Sequence, residues 1–392
     1  MKLLVVSYKT CWLQPASPSG YATDGGFPFQ MRALSELFDS TTLLIPCSGG
    51  NTRAGEGHLT GNNLSIVPLP AIAGADFWRK VRVPFWLMAN SVTLLREILK
   101  ADAVHAPIPG DVGTIGMMLA LALGKPLFVR HCGNWNAPET AAEKFWRWFM
   151  EKFAGGRFVC LATGEQPGPP SQRNAALSWI FATTLTEQEL SRCATNREAF
   201  PQKSPRLLIA CRQERLKGTG VVIESLPLLQ QEFPGIAFDV VGDGGALAEF
   251  RQLAAKLNLN DSVVFHGLVN HDRVIELMQQ ADLFCFPTTS SEGFPKAALE
   301  ALACGLPAVT TKVSALPQLV GGGAGVLLDE ATPQAVAAAV RQCLSDKDGY
   351  QQMSKRAFET ARRYSLERWR DRIGQALTAA WGRLRSNEPT HV

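Results

Sequence analysis

Several features are missing from this sequence, and each absence excludes something. No stretch reaches the ~20 consecutive apolar residues that a membrane-spanning helix needs. The opening run, MKLLVVSYKT, is too short in apolar residues to read as a secretory signal. No CxxC pair occurs among the nine cysteines, and no histidine cluster stands beside them. An odd, dispersed set of this kind fits reduced thiols in a cytosol, not a disulfide framework or a zinc site. Only 19% of residues are charged, and the 39 Lys and Arg are scattered among 35 Asp and Glu for a net charge of +4. Such a balance calls for no nucleic-acid partner, and none is expected. No repeat appears at solenoid periods.

What is present is bulk and apolarity. The chain has 392 residues, 46% of them hydrophobic, with 34 Gly and 24 Pro. At ~150 residues per domain this exceeds one core and implies two or three lobes. It is also too apolar to stay disordered. The expectation is a soluble, cytoplasmic, multi-lobed protein.

Short apolar runs recur along the chain: LLVVSY at 3–8, TLLI at 42–45, LSIVPL at 64–69, AVHAP at 103–107, PLFVR at 126–130 and FVCLAT at 158–163. Helical patterns lie between several of them, at 29–38, 92–99 and 115–123. Apolar strands alternating with helices imply a parallel sheet covered on both faces. The rhythm restarts with LLIA at 207–210, FDVVG at 238–242, VVFHG at 263–267, LFCFP at 283–287, AVTT at 308–311 and GVLL at 325–328. Helices are expected near 219–232, 246–257, 272–280 and from about 295. Two successive βα series read as two Rossmann-like lobes. Their junction is placed near Thr183, just before a capping-box start at Thr186 and Glu189. A last amphipathic helix, roughly 364–385, carries Trp369, Ile373, Leu377 and Trp381 at helical spacing.

The sharpest chemical signal is SSEGFPKAALEALACGLPAV at 290–309. Glu292 stands after a strand and before a helix, Pro295 suits a first helical turn, and Glu300 lies further along. Turn plus helix separates the two carboxylates by ~10 Å at ~1.5 Å per helical residue. Backbone amides of Phe294, Lys296 and Ala297 would crown the helix start, where unpaired donors and a partial positive charge attract phosphate. A nucleotide-sugar suits this arrangement: one carboxylate for sugar hydroxyls, the helix start for the diphosphate, the second carboxylate for the ribose diol.

This segment resembles the signature of retaining GT-B glycosyltransferases, the large group 1 family. ACRQERLKG at 210–218, VVGDGG at 240–245 and FHGLV at 265–269 resemble further motifs of that family, so the likeness spans about 205–340. It implies an α/β GT-B fold, with two Rossmann-like parallel-sheet lobes, an interlobe cleft and a C-terminal helix crossing back. The implied domains are 1–183 on the acceptor side, 184–363 for the nucleotide-sugar, and 364–392 packing on the first. The implied activity is sugar transfer with retained anomeric configuration, with no cofactor and no metal. The donor would be a UDP-sugar or GDP-sugar, and the acceptor a glycan or lipid-linked saccharide.

The site residues follow from the same likeness. Arg212 and Lys217 would stabilise the departing diphosphate, because fixed cations favour a transition state in which negative charge grows. No DxD-like pair follows a strand to hold a divalent ion, since Asp239 and Asp243 are separated by an apolar run. Glu292 with the neighbouring Gly293, Phe294, Pro295 and Lys296 would hold the sugar and phosphates, and Glu300 the ribose. Gly242 and Gly244 would let the backbone approach the nucleotide. Gly25 and Gly26, read as the loop between the first strand and its helix, and His131 would face the reacting centre. His131 is expected to position rather than act as general base, and His105 to be buried and structural. Two elements common in the family are absent: Val313–Gln318 stands in place of Gly-Gly-x-Pro-Glu, and 179–190 lacks Asn-Gly.

Two aromatic-basic segments, FWRKVRVPFW at 77–86 and FWRWFMEKF at 145–153, admit two readings. They either seat the protein on an anionic membrane, at the inner face of the cytoplasmic membrane, or pack aromatics into the core beneath snorkelling cations. Two rivals to glycosyl transfer also stand: a nucleotide-sugar epimerase on the same scaffold, and a non-catalytic nucleotide-sugar-binding partner.

Overall fold

The alternation of apolar strands and helices produces two parallel sheets in the computed structural model. It describes residues 1–48, 57–72, 74, 76–133, 135, 136, 138, 140–194, 200, 203–291 and 293–386, with only the backbone of Asp76, Phe77 and Lys80. The chain divides into two units, Met1–Thr184 with Leu366–Val392, and Leu185–Ser365.

The first unit opens with β1 (Lys2–Val6), β2 (Cys11–Leu13), β3 (Tyr21–Thr23), α1 (Phe27–Ser35), β4 (Ser40–Ser48), β5 (Gly57–His58) and β6 (Leu64–Pro70). It continues through α2 (Asp76–Lys100), β7 (Ala103–Ile108), α3 (Asp111–Ala122), β8 (Leu127–His131), α4 (Ala141–Phe153), β9 (Phe158–Thr163) and β10 (Ser178–Ile180). Its sheet runs β10-β9-β8-β7-β1-β4, with β6 parallel to β4 and the short β2, β3 and β5 at the same edge. Central strands are buried on both faces; every residue of β7 and β8 is buried. That explains their continuous apolar runs.

One sheet face, presented by Val6, Val104, Val129 and Ala162 among others, packs against the inward sides of α2, α3 and α4 through Trp86, Leu94, Ile98, Met117 and Met150. These three helices therefore form a single layer on one face of the sheet.

The second unit contains α5 (Glu187–Cys193), β11 (Arg206–Ala210), α6 (Thr219–Leu229), β12 (Ala237–Val241), α7 (Leu247–Lys256), β13 (Val263–Gly267), α8 (His271–Gln280) and β14 (Leu283–Phe286). It ends with α9 (Lys296–Ala303), β15 (Ala308–Thr311), α10 (Leu316–Val320), β16 (Gly325–Leu328), α11 (Pro333–Cys343) and α12 (Lys347–Ala361). All its strands are parallel, in the order β13-β12-β11-β14-β15-β16. The order reverses between β11 and β14. Helix α5 starts at the expected capping box, with Thr186 accepting from the Glu189 amide and Glu189 reaching back.

The last helix, α13 (Leu366–Trp381), belongs to the first unit. Its buried stripe Leu366, Trp369, Ile373 and Leu377 follows the helical period. Gly374 lies against Leu37, in the turn after α1, where a methyl would sit 3.0 Å from its Cδ2. Arg370 pairs with Glu36, and Trp381 Nε1 donates to the Arg157 carbonyl at 3.0 Å.

Two sequence expectations need correction. The loop holding Gly25 and Gly26 does not follow the first strand directly, because the β2–β3 hairpin intervenes. Three-residue strands are too short to show a period. Helix α2 runs unbroken over 25 residues, although the sequence pattern marked only 92–99. Pro84 and the cations around it hide its first half, yet its amphipathic packing still holds it together. Segment 145–153 lies on a helix that starts at Ala141, capped by a Thr140–Glu143 box.

The aromatic-basic segments divide by face. Trp86 is buried and donates to the Pro70 carbonyl at 2.7 Å, and Trp146 and Phe149 pack on the core. Trp78, Phe85, Phe145, Trp148 and Phe153 are exposed.

Ile373 is fully buried in α13. Replacing it by Ala is expected to lower the unfolding free energy of the first unit by about 2–5 kcal/mol. Urea unfolding monitored by tryptophan fluorescence would measure this.

Candidate functional site

Open parallel sheets bind ligands beyond the carboxyl ends of their strands, where the strand order reverses. In the second unit that point falls between β11 and β14. Beyond β11 the chain passes Arg212 and Gln213, makes one turn of 3-10 helix over Arg215–Lys217, and enters α6 through Gly218. Beyond β14 it runs through Pro287–Ser291 towards α9.

These two loops are fastened together by main chain. The Thr289 amide donates to the Leu216 carbonyl at 2.9 Å, and Thr288 Oγ1 donates to the same oxygen at 3.1 Å. Gly218 has φ +93°, and a Cβ there would fall 2.6 Å from the Pro287 carbonyl oxygen. Only glycine fits that left-handed, crowded position. Lys217 is thereby placed with its Nζ 3.4 Å from Ser290 Oγ. Arg212 lies on the same loop, largely exposed, 3.4 Å from Glu214. An exposed pair of this kind holds the guanidinium only weakly.

The loop after β12 joins from the other side. A Cβ on Gly242 (φ +112°) would lie 2.0 Å from the Cys211 carbonyl oxygen, and one on Gly244 2.5 Å from that of Gln213. At both glycines the space for a side chain is taken by the protein's own backbone. The side chain behind this arrangement is Gln213, fully buried, which sequence reading missed. Its Nε2 donates to the Val241 carbonyl at 3.0 Å, and its Oε1 accepts from Thr219 Oγ1 at 2.7 Å. A lone polar residue between Arg212 and Glu214 gave no signal of such burial. Asp239 is also fully buried, held by Arg206 at 2.5 Å and His266 at 2.7 Å. It links β11, β12 and β13 within the sheet. Among the described residues, no three His, Cys, Asp or Glu converge as a metal-binding group.

Helix α9 begins at Lys296, with Pro295 as N-cap, a residue whose side chain caps none of the helix's first amides. The first turn of a helix presents amide donors that have no partner within the helix. Phe294 is buried and tilts against Tyr364, with ring centroids 5.5 Å apart. Glu300 is 14% exposed, and its Oε1 lies 4.0 Å from His271 Nδ1. Burial holds its carboxyl above the usual range, while His271 and Lys296 pull the other way. His271, the first residue of α8, is a neighbour that sequence reading did not mark. Glu292 lies outside the described residues. Gln318, in place of the family's acidic residue, is partly buried at α10.

The first unit presents His131 at the end of β8, 2% exposed, edge-on to Trp135 with centroids 5.2 Å apart. Burial pushes its imidazole down to about 4, so it is neutral near pH 7. The adjacent Arg130 donates to Gln30 Oε1 at 2.8 Å and stacks over Trp369; Gln30 donates to the Thr183 carbonyl at 3.2 Å. An arginine inside FVRH was the available signal for this buried network. His105 is buried, stacked on Phe128 at 4.3 Å. Gly25 has φ +69°, and Gly26 is the N-cap of α1.

Gly242→Ala is expected to lower the melting temperature clearly, whereas Gly245→Ala, with nothing within 4 Å of its added methyl, is expected to leave it nearly unchanged. A thermal melt of both variants checks this. His131 contributes a pH dependence. Between its ordinary value of 6.5 and about 4, the unfolded chain binds a proton that the folded chain refuses. Stability of the first unit should therefore fall as pH drops through that window. Asn at position 131 should flatten the slope in urea titrations at stepped pH.

Residues 194–360 match the family profile described as "Glycosyl transferases group 1". Among characterised relatives, the chain is 33% identical over 164 residues to the D-inositol 3-phosphate glycosyltransferase of Corynebacterium urealyticum, covering 40% of this chain and 38% of that one. It is 32% identical over 139 residues to the amylovoran biosynthesis glycosyltransferase AmsK of Erwinia amylovora, covering 34% of each. The matches thus span under two fifths of these relatives' length. In fold it is similar to Anabaena Alr3699/HepE crystallised with UDP, with a TM-score of 0.71 and 16% identity over 97% of this chain and all of that one. Residues 194–360 are a glycosyl transferases group 1 domain, and the chain that carries them has the GT-B fold.

Proposed function

We propose that the protein is a retaining, metal-independent hexosyltransferase that moves a sugar from a UDP-sugar or GDP-sugar to a hydroxyl of a glycan or lipid-linked saccharide. The pathway is polysaccharide or glycolipid assembly in the cytoplasm, with peripheral contact at the inner membrane face through 77–86 and 145–153. The observation that carries the reading is the gathering of Lys217, the Ser290 loop and the start of α9 at the strand-order reversal of the second unit. Recurrent group 1 motifs in that unit and the UDP bound to Alr3699/HepE support it.

In this reaction the anomeric C–O bond breaks and its electron pair passes to the leaving phosphate oxygen. Arg212, Lys217 and the amides of α9 stabilise that growing charge. The acceptor oxygen bonds to the anomeric carbon on the face the phosphate vacates, and its proton goes to the departing phosphate. Glu300 binds the ribose diol; its burial makes its hydrogen bonds to a ligand strong. Glu292 and Gly293–Lys296 hold the sugar and diphosphate. Gly242 and Gly244 keep the neighbouring backbone close to the nucleotide. His131, neutral at working pH, and the Gly25–Gly26 loop serve the reacting sugar and acceptor as polar contacts.

UDP or GDP is expected to raise the melting temperature, because a ligand of the folded state alone stabilises it. Lys217→Ala should reduce kcat by about a hundredfold or more. Glu300→Gln should weaken donor affinity by about tenfold. No shift with any nucleoside diphosphate, or unchanged kinetics in both variants, would overturn these roles.

A further inference from the structure

The outward surface of the α2–α3–α4 layer is strongly apolar. Along α2, the side chains of Trp78, Phe85, Met88, Val92 and Leu99 are 66%, 66%, 72%, 76% and 59% exposed. With Val81 and Leu95 they fall at 78, 81, 85, 88, 92, 95 and 99, a continuous stripe along nearly the whole helix. On α4 of the same layer, Phe145, Trp148 and Phe153 are exposed, and Lys152 lies over the rings of Trp148 and Phe153 at 5.3 and 5.4 Å. Water-exposed apolar area on this scale marks a docking surface.

The charges beside the stripe select its partner. Arg82, Arg96 and Lys100 flank it on α2 and are exposed. Glu97, which pairs with Arg96 and Lys100 at 2.9 and 3.0 Å, is only 9% exposed. The exposed face formed by the described side chains of α2 carries no carboxylate. Next to Trp148 opens a hollow of about 500 Å3 whose charged lining is Lys144, Arg147, Arg173 and Glu151. Its single acid is engaged by Arg147 at 3.3 Å and Arg173 at 3.7 Å.

A stripe with alternating steps of three and four could also pair with a second copy of itself. Such pairing would crowd Arg82, Arg96 and Lys100 against the cations of the other copy, and the described side chains of this α2 face offer no exposed acid to answer them. An anionic lipid surface is complementary to both the apolar stripe and its cationic border. Among the described residues no helix is long and apolar enough to cross a membrane, so α2 would lie along the surface.

We propose that this face docks on an anionic bilayer, with α2 in the membrane plane, the α2 and α4 rings reaching the acyl boundary, and lipid phosphates entering the Lys144–Arg147–Arg173 hollow. This rests on the peripheral-membrane part of the proposed function and extends the contact along α2 to Leu99. The test is co-sedimentation of the full chain with vesicles of phosphatidylcholine alone, and of phosphatidylcholine mixed with phosphatidylglycerol. Binding is expected only to the mixed vesicles and should weaken with added salt. Phe85→Ser with Met88→Ser should each reduce partitioning when made singly and more when combined. Each cation removed in Arg82→Ser and Arg96→Ser should cost about fivefold. These side chains are exposed, so an unchanged melting curve shows the variants folded, and the UDP-induced shift reports the donor site separately. Equal binding to both vesicle types, no binding, or insensitivity to these substitutions overturns the proposal. So does a concentration-dependent dimer abolished by the Phe85 and Met88 changes, which would assign the stripe to a second copy.

Discussion

The arrangement of the second unit depends on main chain touching main chain. The loops after β11, β12 and β14 approach so closely that Gly218 and Gly242 leave no room for a methyl group. Gln213 then saturates the carbonyl and hydroxyl groups trapped beneath them. A loop cluster assembled in this way has few alternative conformations. Groups presented from it, Lys217 foremost, are set in place before any ligand arrives, which is the condition under which fixed charges are most effective.

Much of this was legible in the sequence. Parallel strands buried on both faces are continuous apolar runs, and those runs located every strand of the second unit to within a residue or two. The recurrent motifs marked the loops that carry Arg212, Lys217 and Gly242 and the helix that carries Glu300. What stayed hidden has physical reasons. The three-residue strands β2 and β3 have no period to detect. Gln213 and His271 matter through what surrounds them, and surroundings arise only once the chain has folded. Helix α2 was half visible because proline and cations interrupt its pattern, while tertiary packing through Trp86, Leu94 and Ile98 overrides that local cost.

Gly242 and Gly244 of the VGDGG turn illustrate how one residue type can answer two demands. From sequence they suggest close approach of a ligand; in the structure their missing side chains make room for the neighbouring loop. The turn's amides are engaged within the protein as well: that of Gly242 donates to the Gly267 carbonyl at 2.8 Å and that of Gly244 to Asp243 Oδ1 at 2.7 Å. The aromatic segments teach a similar lesson. The same stretch of helix sends Trp86 into the core and Trp78 and Phe85 into water, so a choice between packing and surface contact was false at the level of the segment and true only residue by residue.

The first unit is discontinuous, completed by a helix encoded almost two hundred residues after the rest of it. Synthesis proceeds from the N-terminus, so every residue of the second unit is made while the first still lacks the partner of α1. Until Trp369, Ile373 and Leu377 emerge, their seat on α1 and the sheet stays open to water. The half that is translated first is therefore the one whose closure waits for the end of translation.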